Sequence, residues 1–242
     1  MSIQCLSELT PLDMMDMSFG IADPTGSCVW LGAWLFMEMF SRDLVTTHAA
    51  EMQKYWSRVR RTLFPLNCHA LELGAGTGMA GLSLMVMRRN GQINGIISGP
   101  SILVQTDNND DALALCQINR NANKIASYGE GCVCVGKLEW GKGNTTEIIG
   151  SGEEETGPLQ QTIPTSFDVV FATDVLYDLA SLVPLVTTAE EKLKEGGYFI
   201  LSHTPRASID DNDERYNCDT TDYWQQLEAF IIIIIITCII II

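Results

Sequence analysis

Hydrophobic positions along this 242-residue chain follow two regimes. From Val29 to Leu63 they recur at helical spacing, with Trp34, Met37, Phe40 and Leu44 on one stripe and Met52, Trp56 and Val59 on another, which predicts two helices. Beyond Leu63, short apolar runs alternate with longer amphipathic ones. The short runs predict strands at Ala70–Leu73, Ile102–Thr106, Cys132–Val135, Phe167–Phe171 and Tyr198–Ser202. Between them lie predicted helices from about Gly78 to Arg89, from Asp110 past Arg120, and from about Leu182 to Lys194. Asn90-Gly91 offers a stop to the first of these, and Gly196-Gly197 a turn before the last strand. Asp110 and Asp111 suit the positive end of the second helix and Arg120 its negative end. Strands alternating with helices predict an α/β fold, a doubly wound parallel sheet with right-handed crossovers, whose ligands bind beyond the carboxyl ends of the strands.

Three stretches stand outside this alternation. Met1 to Ser27 is broken by Pro11, Gly20, Pro24 and Gly26. Gly141 to Ser166 is polar, includes Glu153-Glu154-Glu155, and reads as a flexible insertion without an element of its own. Ile231 to Ile242 holds ten isoleucines interrupted only by Thr237 and Cys238. That run is too short to cross a bilayer as a helix, which takes ~20 residues. It suits a strand buried on both faces, or arises from a repetitive coding region, and no function is drawn from it. The division expected is therefore an irregular segment 1–28, one α/β domain over 29–230 and an isoleucine-rich tail 231–242.

Charge narrows the partners. Thirty acidic side chains against fifteen Lys and Arg leave a net charge of −15, which disfavours nucleic acid and anionic membranes and favours a protein substrate with a basic segment. The eight cysteines show no zinc spacing, so no metal is expected, and core thiols in a reducing compartment are. No residue before Arg42 is basic, so neither a secretory nor a transit leader is read, and a cytoplasmic monomer is the expectation.

The strongest local signal is Leu71 to Gly81, Leu-Glu-Leu-Gly-Ala-Gly-Thr-Gly-Met-Ala-Gly. A strand ends there in three alternate glycines, Gly74, Gly76 and Gly78, that permit a sharp turn and close approach to a ligand. A dinucleotide loop would repeat Gly-x-Gly-x-x-Gly from the strand end, but the sixth position from Gly74 is Met79. The pattern returns only from Gly76 to Gly81, already a turn into the helix. Glu72 beside the glycines would repel a phosphate and attract a cation. S-adenosylmethionine (SAM), with its sulfonium and ammonium and no phosphate, fits that expectation.

Further candidates follow in chain order. Asp107 ends the second strand, where an acid accepts ribose hydroxyls, although it could instead cap the helix that follows. Trp140, in Leu138-Glu139-Trp140-Gly141, offers an apolar wall for adenine, or belongs to the core. Phe167 to Tyr177 ends in Thr173-Asp174-Val175-Leu176-Tyr177, delivering Asp174 and Tyr177 to the same rim. A lysine amine of pKa ≈ 10.4 arrives protonated and must be held and desolvated before it can act as a nucleophile. A carboxylate and a tyrosine suit that task. The alternatives are a helix cap for Asp174 and first-turn packing for Tyr177.

Taken together, Val29-Trp30, the glycine loop, Leu138-Glu-Trp-Gly and Asp174-Val-Leu-Tyr177 resemble the family 16 methyltransferases, a seven-strand, Rossmann-like branch containing many protein lysine methyltransferases. The resemblance runs from about Cys28 to Phe230. It implies cofactor contacts at Trp30, Gly74, Ala75, Gly76, Asp107, Trp140 and Thr173, with Asp174 and Tyr177 facing the methyl acceptor. It also implies a final antiparallel strand pair, for which the chain offers only the isoleucine run, so one edge strand is expected to be missing. The resulting expectation is a SAM-dependent methyltransferase acting on a protein lysine. Histidine or a small-molecule amine as acceptor, and a non-catalytic scaffold of the same shape, remain alternatives.

Overall fold

The structure, a computed structural model, describes residues 1–6, 24–41, 50–94, 98–142, 147–148, 164–176, 179–203 and 236–237. A 3-10 turn at Pro24–Ser27 leads into helices α1 (Leu31–Ser41) and α2 (Ala50–Leu63). The alternation follows as β1 (His69–Leu73), α3 (Met79–Asn94), β2 (Ile102–Asp107), α4 (Asp110–Ala122), β3 (Cys132–Lys137), β4 (Glu147–Ile148), β5 (Phe167–Thr173), α5 (Leu182–Lys192), β6 (Leu193–Ser202) and β7 (Ile236–Thr237).

The fold is α/β. Among the described residues the sheet runs β4-β3-β2-β1-β5-β6-β7, and its five inner strands are all parallel. Strand order reverses between β1 and β5, so the loops leaving those two strands diverge and open a crevice between them. Both faces of the sheet are covered. Alternate strand positions such as Ala70, Leu103, Val133 and Phe171 pack under α1, α3 and α4, while Leu71, Leu73, Val104 and Val170 pack with Leu185 and Ala189 of α5. Near-continuous burial along β1, β2, β3 and β5 fits strands covered on both faces, and it takes in the polar side chains of Glu72, Gln105 and Thr106 together with the apolar ones.

Several elements differ from their sequence-based expectation. Helix α1 buries Phe36 and Phe40, which meet Phe64 and Phe171 in an aromatic cluster with centroid spacings of 4.7 to 6.2 Å. Its predicted stripe is rotated, because Trp34 points outward and is 52% exposed; Leu44 lies outside the described residues. Helix α3 passes through Asn90-Gly91 to Asn94, and Gly91 is buried within it instead of ending it. Helix α5 stops at Lys192, and Gly196-Gly197 falls inside β6. There the pairing jumps from Phe167↔Leu193 to Val169↔Tyr198, so the glycines sit in an irregularity of the strand.

Both edges also depart from expectation. The polar insertion carries a strand of its own, since Glu147–Ile148 pairs antiparallel with Gly136 and Lys137. The isoleucine tail supplies one strand of the expected closing pair, with Ile236 and Thr237 paired antiparallel to Phe199 and Tyr198, and among the described residues no second strand follows it.

Candidate cofactor site

The glycine loop lies at the switch point because β1 ends there in the middle of the sheet. Ala75 N–H donates to the Thr106 carbonyl at 2.8 Å, pinning the loop to the end of β2. Gly74 adopts φ +68°, and a Cβ there would meet Val175 Cγ1 at 2.7 Å and Trp140 Cζ2 at 3.2 Å. Glycine at this position thus answers to both backbone conformation and side-chain crowding.

Around this loop is a cavity of about 400 Å³, within the range of small-molecule sites. Trp30, Gly74, Ala75, Gly76, Asp107, Trp140 and Thr173, all singled out from sequence, line it together. Trp30 is held by its indole N–H, which donates to the Thr25 carbonyl at 2.9 Å. Asp107 accepts from Gly76 N–H through Oδ2 and from Asn109 N–H through Oδ1, both at 3.0 Å. The cap of α4 is Asn109, whose Oδ1 accepts from Asp111 and Ala112 N–H groups, so the capping role considered for Asp107 belongs to its neighbour. Trp140 packs partly buried against the core cluster on the α5 side of the sheet.

Glu72 is placed differently from its expected role. It is absent from the cavity wall and fully buried beneath the first turn of α3, opposite Gln105 across the β1–β2 pairing. Gln105 Nε2 donates to Glu72 Oε2 at 2.7 Å and to the Gly78 carbonyl at 2.9 Å, stitching the acid to the back of the loop. Gly81 lets the helix approach, since a Cβ there would collide with Glu72 Oε2. Burial pushes the Glu72 carboxyl up from 4.5 to about 8, against the opposing pull of hydrogen bonds from Gln105 and the Gly81 backbone. With Oε1 lacking any protein partner, the neutral acid avoids the cost of an uncompensated buried charge. Glu72 thus supports the loop from behind, with burial favouring its neutral form, and does not reach the cavity.

Asp174 also departs from its expected position. Thr173 and Val175 on either side line the cavity, whereas the Asp174 carboxylate is nearly buried and turned to α1. Its Oδ2 accepts from Gly32 N–H at 3.2 Å, and its Oδ1 lies 3.5 Å from His203 Nδ1. The backbone N–H of Asp174 donates to the Ser202 carbonyl at 2.7 Å, and Ser202 Oγ donates to the Gly32 carbonyl at 3.0 Å. The residue holds φ 58°, an uncommon conformation for a non-glycine. It therefore binds the positive end of α1, as a cap supplied from 142 positions along the chain. Tyr177 lies outside the described residues.

Other lining residues were not singled out from sequence. Thr25, Gly26 and Cys28 form a wall from the stretch read as irregular, and Ala180, Ser181 and Pro184 form another before and within α5. The available signal was the Pro-Thr-Gly-Ser turn at 24–27. Gly26 sits where a Cβ would come within 2.8 Å of Ala112 Cβ, so the turn lies flat on α4. Leu138, Asn108 and Glu139 complete the rim near Trp140 and Asp107. The lining holds two carboxylates, Asp107 and Glu139, and among the described residues no Lys or Arg. A diphosphate would find no counter-charge among these described residues, whereas a ligand with cationic groups and hydroxyls meets acceptors and aromatic faces.

A family model described as "Lysine methyltransferase" matches residues 21–217. Human methyltransferase-like protein 22 is 25% identical over 228 residues, 89% of this chain and 48% of that protein, so the chain spans about half the length of this curated relative. Among solved structures, TehB from Haemophilus influenzae matches with TM-score 0.38 and 14% identity, covering 69% of this chain and 44% of its own. The ribosomal protein L11 methylase of Lactobacillus delbrueckii matches with TM-score 0.36 and 15% identity, covering 70% and 56%.

Proposed function

The chain belongs to the lysine methyltransferase family, and we propose that it is a SAM-dependent enzyme that methylates a lysine side chain of a protein. The observation that carries the proposal is the cavity lining, in which aromatic faces and carboxylates surround a glycine loop with no basic side chain among the described residues. When bound, SAM would supply an electrophilic methyl group on a positively charged sulfur. The protein's part is to bind and orient. Asp107, fixed by Gly76 and Asn109, presents a carboxylate to the ribose hydroxyls. Trp140 presents an apolar face to the adenine, and the loop from Gly74 to Thr77 allows close approach of the backbone.

For the acceptor, a lysine must expose a nitrogen lone pair, so its proton must leave before attack. The apolar side chains of Trp30, Ala33 and Val175 disfavour a charged ammonium by desolvation and so favour the neutral amine. The acidic balance of the chain supports a basic protein segment as substrate. A cytoplasmic setting accords with the six described cysteines, all of which are unbridged. Among the described residues no helix is long and apolar enough to cross a membrane.

Because Asp174 is engaged with α1, no described carboxylate except Asp107 and Glu139 reaches the cavity, and acceptor choice rests on desolvation and surface charge. The test has two stages. SAM must raise the melting temperature by mass action. Methyl-labelled SAM with a cell lysate, followed by mass spectrometry, should then place label on protein lysines. Label on histidines or small amines alone would reassign the acceptor, and SAM uptake without any transfer would indicate a scaffold. Absence of SAM uptake by folded protein would overturn the proposal.

A further inference from the structure

One face of α4 presents Ala112, Cys116, Asn119 and Asn123, the last being its C-terminal cap, at the alternating three- and four-residue spacing that aligns side chains along a helix. Each touches a different backbone. Ala112 meets Gly26 of the wall turn, and Cys116 Sγ donates to the Gly76 carbonyl at 3.0 Å. Asn119, fully buried, donates through Nδ2 to the Thr77 carbonyl at 2.8 Å and to the Gln4 carbonyl at 3.0 Å, while its Oδ1 accepts from Gln4 N–H at 2.6 Å. Asn123 treats Ser2 in the same way, accepting from its N–H at 2.9 Å and donating to its carbonyl at 2.6 Å. Asn123 Nδ2 also donates to the Asn119 carbonyl at 2.8 Å.

Residues 2 and 4 are thus held through the N–H and C=O of one edge of the segment, as a neighbouring strand would hold them, and Ile3 between them packs against the core. Further on, Leu6 N–H donates to the Ser27 carbonyl at 2.9 Å, joining the segment to the turn that walls the cavity. The same Asn119 amide that grips Gln4 therefore also grips Thr77, which lines the cavity.

We infer that residues 1–6 are a strap that completes the cofactor loop from behind, and that Asn119 is the positioning residue through which the strap holds Thr77 and its glycine neighbours in place. The inference rests on the reading of that loop as the SAM site. Recognition is through main-chain atoms, so the strap tolerates changes in the side chains of Ser2 and Gln4 but not the loss of an N–H. Gln4→Pro removes the donor facing Asn119 Oδ1 and leaves a buried acceptor unpaired, a loss the amide can relieve only by turning away from Thr77.

The experiment compares wild type, Gln4→Ala and Gln4→Pro with a chain lacking residues 1–6. It reads hydrogen exchange over residues 74–82 without ligand, and SAM affinity by equilibrium dialysis. Gln4→Ala should match wild type in both. Gln4→Pro and the truncation should speed exchange in the loop and weaken SAM binding about tenfold, the loss expected for roughly one buried hydrogen bond. The synthetic peptide Met-Ser-Ile-Gln-Cys-Leu, added to the truncated chain, should restore both, and its Gln→Pro counterpart should not. Unchanged loop exchange in Gln4→Pro and in the truncation overturns the strap, as does full SAM affinity in both. If wild type takes up no SAM while exchange still responds, the coupling stands and the methyltransferase reading falls.

Discussion

Replacing Glu72 by glutamine separates a buried neutral acid from a buried carboxylate. The substitution keeps the shape and the oxygen that accepts from Gln105 and Gly81, and it removes the proton equilibrium. The folded-state pKa of Glu72, about 8, lies above the value of 4.5 for an unhindered glutamate. Between those limits the unfolded chain is ionised and the folded chain still holds its proton. The folded state therefore binds more protons, and stability falls as pH rises. The contribution of Glu72 is complete below pH 4.5 and is lost as pH rises to about 8, at a slope of about 1.4 kcal/mol per pH unit inside that window. The Glu72→Gln variant has no such slope, because a carboxamide does not titrate. The difference in unfolding free energy between Glu72→Gln and wild type should therefore move in favour of the variant by about 2.5 kcal/mol from about pH 5.5 to about pH 7.5, a large share of the typical 5–15 kcal/mol. Urea unfolding of both proteins at each pH gives the difference, in which every other titrating group cancels. A difference that stays flat, or that moves in favour of wild type as pH rises, would mean that Glu72 is ionised in the fold. The burial argument would then be wrong.

The remaining predictions concern the loop and the cap of α1. Gly74→Ala should destabilise the fold by about 1–3 kcal/mol, through a non-glycine in the left-handed region and the clash with Val175, and should abolish SAM uptake by displacing Trp140; unchanged melting and dialysis would contradict the crowding described. Asp174→Ala should cost about 1–2 kcal/mol through loss of the Gly32 contact, while Asp174→Asn, which keeps an acceptor oxygen, should cost less than half of that. Equal losses in the two variants, measured by urea unfolding, would mean that charge toward His203, and not the cap, is what Asp174 provides.

What was legible in the sequence is what depends on neighbours along the chain. The glycine loop, Asp107 and Thr173 each sit at the carboxyl end of a strand, and parallel topology alone brings such ends to one rim, so reading the strands was enough to gather them. Trp140 follows for the same reason, one short loop beyond β3. What escaped depends on partners distant in sequence. Glu72 reads as a charge only while it is thought solvated, and its solvation is decided by Gln105, Gly81 and the helix laid over it. Asp174 reads as a group for substrate until Gly32, far upstream, is placed against it. Trp34 and Phe36 are both helical and both hydrophobic. Which of them faces inward is settled by the ring cluster with Phe64, just past α2, and Phe171 of β5, neither of which is near α1 along the chain. The Pro-Thr-Gly-Ser turn is similar: its local sequence announces a bend, but its task as a wall arises only because Ala112 on α4 is small enough for Gly26 to lie on it. Solvation and capping are thus the quantities that a linear reading does not reach, and the two expected site residues whose side chains the structure turns away from the cavity, Glu72 and Asp174, are both carboxylates. A carboxylate is the side chain whose role changes most when water is replaced by a backbone N–H.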